Sequence, residues 1–222
     1  MQTTSVAKVF PQPTLPNLSL RVPGDKSISH RAAILGAMAE GDTFLQGYLT
    51  SADCLATLQA LSHLGVTIDR QDESVRIVSP GAFGWQEPDD ILDLGNSGTG
   101  FRLLTAAVCH VPGICILTGD ASLRRRPMGR IARPLREMGA RISGRRQGEL
   151  APLVVDGRDV CLRGREFKLP VASAQVKTAL LLAGLAAEGW TTVEEPVSSR
   201  DHTERLFRHL GVKMEWSQGN TA

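Results

Sequence analysis

Gly24-Asp25-Lys26-Ser27, at the centre of R-V-P-G-D-K-S-I-S-H-R (residues 21–31), nearly spells the end of a phosphate-binding loop. An Asp stands between the Gly and the Lys, and the earlier Gly that a G-x-x-x-x-G-K-[ST] loop needs is missing. Two further stretches share its character: Gly95-Asn96-Ser97-Gly98-Thr99-Gly100-Phe101-Arg102 and Ala172-Ser173-Ala174-Gln175-Val176-Lys177. Each sets small hydroxyl or amide residues just ahead of an apolar run. A helix that starts there offers free backbone N–H groups and a positive dipole end, which suits anions. Gly95, Gly98 and Gly100 would let a ligand approach the backbone closely. Plain N-capping by Ser, Thr and Asn accounts for any one of these loops without a ligand. Three equivalent loops brought to one end of a helix bundle favour a shared concave site instead.

Two more polar segments belong with them. Leu123-Arg124-Arg125-Arg126-Pro127-Met128-Gly129-Arg130 predicts the start of an amphipathic helix with Pro near its beginning. Ser198-Ser199-Arg200-Asp201-His202-Thr203-Glu204 predicts another, with Asp201 and Glu204 at capping-box spacing. Lys26, Arg31, Arg102, Arg126 and Arg200 are the candidate cations. The Arg cluster could be a solvated face or a nucleic-acid patch, but no aromatic residue interleaves with it, so base stacking is not suggested. A small anionic ligand is the better-supported partner.

The elements that must position these loops repeat along the chain. Gly65, Gly139 and Gly211 each follow an apolar-periodic run and precede an alternating one, at intervals of 74 and 72 residues. Each reads as the C-cap of a helix that gives way to a strand. Gly41, Gly113 and Gly189 close an earlier helix 24, 26 and 22 residues before them. Short strands at Leu18–Val22, Ile91–Leu94 and Phe167–Val171 open the units. The predicted unit is therefore βαβαββ, with repeats at about 17–89, 90–163 and 164–222, and such periodicity outranks local readings. Ser27–Ala39, Thr99–His110 and Ala174–Ala187 are apolar nearly all round, which places them inside a core with the sheets outside. The strand pairs Val66–Arg70 with Ser74–Val78 and Ala140–Gly144 with Pro152–Val155 argue against a doubly wound open sheet. The third unit has Val212–Trp216 and a turn-like Ser217–Asn220 but no second strand, so the sequence reads as a piece of a longer protein.

Composition narrows the classes. A net charge of +2 is too small to argue for a nucleic-acid or membrane partner. Only five of the 25 basic residues are Lys, and Arg offers a planar fork that matches carboxylates and phosphates, although a GC-rich genome gives the same bias. Cys54, Cys109, Cys115 and Cys161 lie far apart with no C-x-x-C, which reads as four buried thiols in a reducing cytoplasm. Neither metal nor cofactor is expected. Residues 1–16 lack the apolar run of a secretory signal, and no run of about 18 apolar residues predicts a membrane span.

The stretches P-G-D-K-S-I-S-H-R, L-G-N-S-G-T-G-F-R-L, L-R-R-R-P-M-G-R, S-A-Q-V-K-T-A-L-L-L-A-G-L and S-R-D-H-T-E-R, in this order, resemble the 5-enolpyruvylshikimate-3-phosphate synthase (3-phosphoshikimate 1-carboxyvinyltransferase) family, in its bacterial class II form. They run from Pro23 to Arg205. The resemblance implies an α/β fold: one lobe of an inside-out α/β barrel, built of three βαβαββ repeats, with the second lobe absent and residues 1–16 packed on it. It implies enolpyruvyl transfer from phosphoenolpyruvate to the 5-hydroxyl of shikimate 3-phosphate, by addition and elimination, with release of phosphate. Lys26, Ser27, Arg31, Ser173, Ala174 (through its N–H), Gln175 and Arg200 would hold shikimate 3-phosphate. Lys26, the backbone at Asn96 and Gly98, Arg126 and Gln175 would meet phosphoenolpyruvate. Lys26, between both, would be the catalytic residue. A side chain at the position of Gly98 crowds the inhibitor glyphosate in this family, so a glyphosate-sensitive type of site is implied. The acid and base carboxylates would lie in the absent lobe, which leaves the isolated chain inactive.

Three rivals stand beside this reading. The sister transferase that acts on UDP-N-acetylglucosamine carries a Cys in a loop comparable to Asp120–Arg126, where this sequence has none. A lone lobe that binds a phosphorylated ligand without turnover is a second. A fragment with no function of its own is a third.

Overall fold

The computed structural model describes residues 7–11 and 19–216. The expected N-terminal segment falls largely outside them, as do Leu18 and the turn-like Ser217–Asn220. Residues 7–11 form neither helix nor strand.

The first unit runs α1 (Lys26–Met38), β1 (Glu40–Leu45), α2 (Ala52–Ser62), β2 (Thr67–Gln71) and β3 (Ser74–Pro80). The second unit is complete: β4 (Leu92–Asp93), α3 (Gly98–Ala107), β5 (Ile114–Thr118), α4 (Gly129–Glu137), β6 (Arg141–Gly144), a single turn α5 (Arg145–Gly148) and β7 (Leu150–Asp156). The third has β8 (Glu166–Lys168), α6 (Ala174–Gly184), β9 (Thr192–Glu194) and α7 (His202–His209). Among the described residues the strands form three separate sheets, one per unit: β1-β3-β2, β4-β5-β7-β6 and β8-β9. The pairs that flank a crossover helix, β4 with β5 and β8 with β9, are parallel, and the others are antiparallel. Only antiparallel strands can be joined by connections as short as those between β2 and β3 and between β6 and β7, and the parallel pairs each need their helix as a crossover.

The helices α1, α3 and α6 form the interior. In α3 only Thr99 and Arg102 are not fully buried, and α1 buries an unbroken run from Ala33 to Ala37. The sheets cover this bundle with one face each. Along β3, Val75, Ile77 and Ser79 point inward while Arg76 points out, and Ala151, Leu153 and Val155 do the same along β7. Gly65, Gly139 and Gly211 have φ of 86°, 103° and 73°, a left-handed conformation that lets each helix end and the chain reverse into the next segment.

Four details depart from the sequence reading. Ser19–Val22 form no strand, because Leu20 and Val22 are exposed and no layer covers them. Val212–Trp216 form none either, since no described segment pairs with them. The Arg-rich stretch begins with a 3₁₀ turn at Leu123–Arg125, and the helix itself starts only at Gly129. Finally, Cys161 is exposed, whereas the other three thiols are buried.

Candidate functional site

Each of the three core helices begins with a polar loop, and side chains tie these beginnings together. Asp25 caps α1 by accepting the Ile28 N–H at 2.8 Å. Ser97 caps α3 by accepting from Gly100, and Ser173 caps α6 by accepting from Val176. Gly24 is required for close approach: a Cβ there would lie 2.0 Å from the Gly47 carbonyl oxygen, so the first loop seats against the chain after β1.

Arg31 joins α1 to the third unit. Its Nε donates to Thr203 Oγ1 and its Nη2 to Thr178 Oγ1, both at 2.8 Å, while Nη1 donates to the Ser27 carbonyl at 3.0 Å. A weaker contact from Nη2 reaches the Ala174 carbonyl at 3.4 Å. The residue is 3% exposed, so little of its fork remains for a ligand. Burial pulls the guanidinium below its ordinary value, and the charge of Glu204 opposes this.

Gln175 joins α6 to α3. Its Oε1 accepts from Arg102 Nη1 at 2.7 Å, and its Nε2 donates to Thr99 Oγ1 at 2.9 Å. Arg126 bonds both the Asn96 side-chain oxygen and the Asn96 carbonyl. The Asn96 amide donates in turn to Asp120 Oδ2 at 2.7 Å. Gly98 lies under these cations: a Cβ there would be 2.8 Å from Arg126 Nη1 and 3.3 Å from Arg102 Nη1. On the other side, exposed Arg200 leans toward Ser27, with Nη1 3.5 Å from its Oγ. Lys26 is half exposed and paired with Asp53.

Lys26, Ser27, Asn96, Arg126, Ser173, Ala174, Gln175 and Arg200 thus lie together at the N-terminal end of the bundle, with Arg31 and Gly98 buried beneath them. The cations there outnumber the carboxylates that touch them, so the charge of this surface suits an anion.

The profile of a family described as EPSP synthase (3-phosphoshikimate 1-carboxyvinyltransferase) matches residues 16–222. The chain belongs to this family. A 3-phosphoshikimate 1-carboxyvinyltransferase of Desulfitobacterium hafniense is 54% identical over 203 residues, covering 91% of this chain and 46% of the relative. One from Bacillus cereus (strain ATCC 10987 / NRS 248) is 50% identical over 198 residues, with 89% and 46% covered. A solved EPSP synthase from Acinetobacter baumannii superposes with a TM-score of 0.85 at 46% identity, over 89% of this chain and 44% of that one. The fold is accordingly that of an enolpyruvyl transferase. The chain spans about half the length of the curated relatives it matches.

Several residues that shape the surface escaped the sequence reading. His30 is fully buried, with Nδ1 2.8 Å from Thr57 Oγ1 and Nε2 3.3 Å from Ser97 Oγ. Asp53, Asp120, Lys177 and Glu195 also bond to site residues or to their neighbours. Lys177 carried a usable signal: it is the only charged residue of α6, and a charge on an apolar helix needs a partner. The expected capping box at α7 is absent, because Asp201 accepts from Arg205 and Glu204 turns inward to Lys177.

Proposed function

We propose that this chain forms the lobe of an EPSP synthase that takes up shikimate 3-phosphate. With the half that completes its relatives, it would transfer the enolpyruvyl group of phosphoenolpyruvate to the 5-hydroxyl, releasing phosphate. The observation that supports this most is the convergence of three capped helix N-termini with Lys26, Arg31, Arg102, Arg126 and Arg200 in a member of this family.

Ser27, Arg31, Ser173, Gln175, Arg200 and the Ala174 N–H would hold shikimate 3-phosphate. Lys26, Arg126, Gln175 and the backbone at Asn96 and Gly98 would meet phosphoenolpyruvate. The two substrates carry two phosphates and a carboxylate, and a charge-assisted hydrogen bond contributes about 1.5–3 kcal/mol. Arg31 has most of its donors committed inside the protein, so it would act as a fixed directional contact. Lys26 and Arg200 are exposed and free to swing onto a ligand. Lys26 would exchange Asp53 for substrate anions and stabilise charge that develops during addition. A cytoplasmic setting fits the four free cysteines.

Two-dimensional amide NMR of the chain, titrated with shikimate 3-phosphate, tests the reading. Shifts at Ser27, Arg31, Ser173, Gln175 and Arg200 are expected. A dispersed spectrum that ignores the ligand would sink the proposal. The chain alone is expected to release no phosphate at enzymatic rates, because general acid–base groups within reach of the substrates are not identified on it. Efficient turnover by the chain alone would show that the acid–base groups are on this lobe.

A further inference from the structure

Lys177 lies four residues into α6 with its ammonium turned inward. Its Nζ is 2.7 Å from Glu195 Oε2 and 2.6 Å from Glu204 Oε1, and all three side chains are less than a tenth exposed. Hydrogen bonds with Glu195 and Glu204 raise Lys177 above its ordinary value although burial works the other way. Burial likewise pushes Glu195 up, but bonds from Lys177, Ser199 and Ser173 overcome this and hold it low. Lys177 and Glu195 are therefore both charged at neutral pH. Two carboxylates face one ammonium, and Arg31 feels Glu204 as its foremost opposite charge, which balances the cluster.

A buried ionic cluster is a poor device for stability alone. Apolar side chains of similar volume usually serve as well or better. This one does something that apolar residues cannot. Glu195 Oε1 accepts the backbone N–H of Ser173 at 2.8 Å. Its Oε2 accepts from Ser199 Oγ at 2.8 Å and from the Ser199 N–H at 3.3 Å. Ser173 caps α6, next to Ala174 and Gln175. Ser199 precedes Arg200. One carboxylate thus fixes the distance between two segments of the anion site that come from opposite sides of β9.

We propose that Glu195 is a positioning residue for the phosphate-bearing substrate, holding the α6 N-terminus and the Ser198–Arg200 loop in register, with Lys177 as its counter-ion. This rests on the reading that those segments bind shikimate 3-phosphate. Lys177 has a second task. A bare carboxylate beside an anion site repels the ligand, and the ammonium cancels that charge. Glu204 anchors Lys177 from α7 and bonds neither binding segment, although its charge reaches Arg31, so it is the control for loss of an ion pair without loss of the bonds to Ser173 and Ser199.

The test uses the full chain, with shikimate 3-phosphate affinity by calorimetry, a melting curve and an amide spectrum for each variant. Glu195→Gln turns one acceptor into a donor that faces Lys177 and Ser199. It is expected to weaken binding at least tenfold. Glu204→Gln is expected to lower the melting temperature comparably while keeping affinity within about twofold. Ser199→Ala removes one bond to Glu195 near the surface and is expected to weaken binding about threefold with an unchanged melt. It carries the test if Glu195→Gln does not fold. Affinity losses that simply track melting temperature across the three variants would overturn the inference, as would wild-type affinity in a folded Glu195→Gln chain or in Ser199→Ala. A folded wild-type chain that does not bind would instead overturn the underlying reading of the site, and the inference with it.

Discussion

His30 Nε2 lies 3.3 Å from Ser97 Oγ, so the residue that caps α3 is tied to the middle of the first turns of α1. Thr57 Oγ1 lies 2.8 Å from His30 Nδ1 on the other side of the ring. Ser97 Oγ also accepts from the Gly100 N–H and, as a hydroxyl, can still donate to or accept from His30 Nε2. Burial is what keeps the imidazole neutral.

Burial, with added repulsion from Lys26, lowers the pKa of His30 to about 4. An unfolded chain takes up the proton near pH 6.5, so between 6.5 and 4 the unfolded state binds more protons than the folded one. Stability must then fall as the pH drops through this window, by roughly 3 kcal/mol in all from this group. Denaturant titrations at several pH values from 4 to 7.5 check this. The dependence is expected to flatten between pH 4.5 and 6.5 in His30→Gln, and an unchanged slope would assign the loss to carboxylates instead.

His30 also marks where the sequence stopped being legible. The three loops, their helices and the period were readable because capping residues, left-handed glycines and apolar runs are local signals. The partners of His30 lie 27 and 67 residues away, and no local pattern specifies such a pairing. The same holds for the bond of Glu195 to the Ser173 N–H, 22 residues away, which left no mark in its own neighbourhood. The strands expected at Leu18–Val22 and Val212–Trp216 failed for a related reason. Alternating residues make a strand only where a neighbour supplies hydrogen bonds and a covering layer.

Arg31 was expected to be a ligand contact, and its setting makes it a structural rivet. Arg31→Lys keeps the charge but loses the fork that reaches Thr203, Thr178 and Ser27 together. Thr178 and Thr203 still bond one another at 2.6 Å, so the cost is that of the lost guanidinium bonds, expected at about 1–3 kcal/mol, which corresponds to a melting temperature lower by about 2–12 °C for a chain of this size. Calorimetric melts of the two proteins settle it, and a change under 1 °C would mean that the fork is dispensable.

Gly98 has room for a methyl group only if Arg126 gives way. The contact is with the far end of a flexible side chain, and the position is not left-handed, so the backbone can accept Ala. Gly98→Ala is therefore expected to melt within about 4 °C of the parent, since Ala at a helix start is favoured over Gly by at most about 1 kcal/mol. Its effect belongs to the ligand. In the complete enzyme, weaker binding of phosphoenolpyruvate and weaker inhibition by glyphosate are expected. Inhibition unchanged from the parent would show that the methyl group does not enter the space the inhibitor uses.

Asp120 governs the same corner from outside the ligand space. One of its oxygens accepts the Asn96 amide at 2.7 Å, and the other accepts the Leu123 N–H at 2.7 Å, which folds the turn that delivers Arg126. These hydrogen bonds, with that from Asn96 the largest, hold its carboxyl below the usual range. Asp120→Ala frees the Asn96 amide to rotate and loosens the turn, so Arg126 loses both its neighbour and its anchorage. Affinity for phosphoenolpyruvate in the complete enzyme is expected to drop about tenfold, while binding of shikimate 3-phosphate alone stays within about twofold, the scale of one or two charge-assisted hydrogen bonds misplaced. Separate titrations of the two ligands resolve the two effects. Equal losses for both would mean that Asp120 supports the bundle as a whole, and no loss for either would mean that Arg126 is held well enough by Asn96 alone.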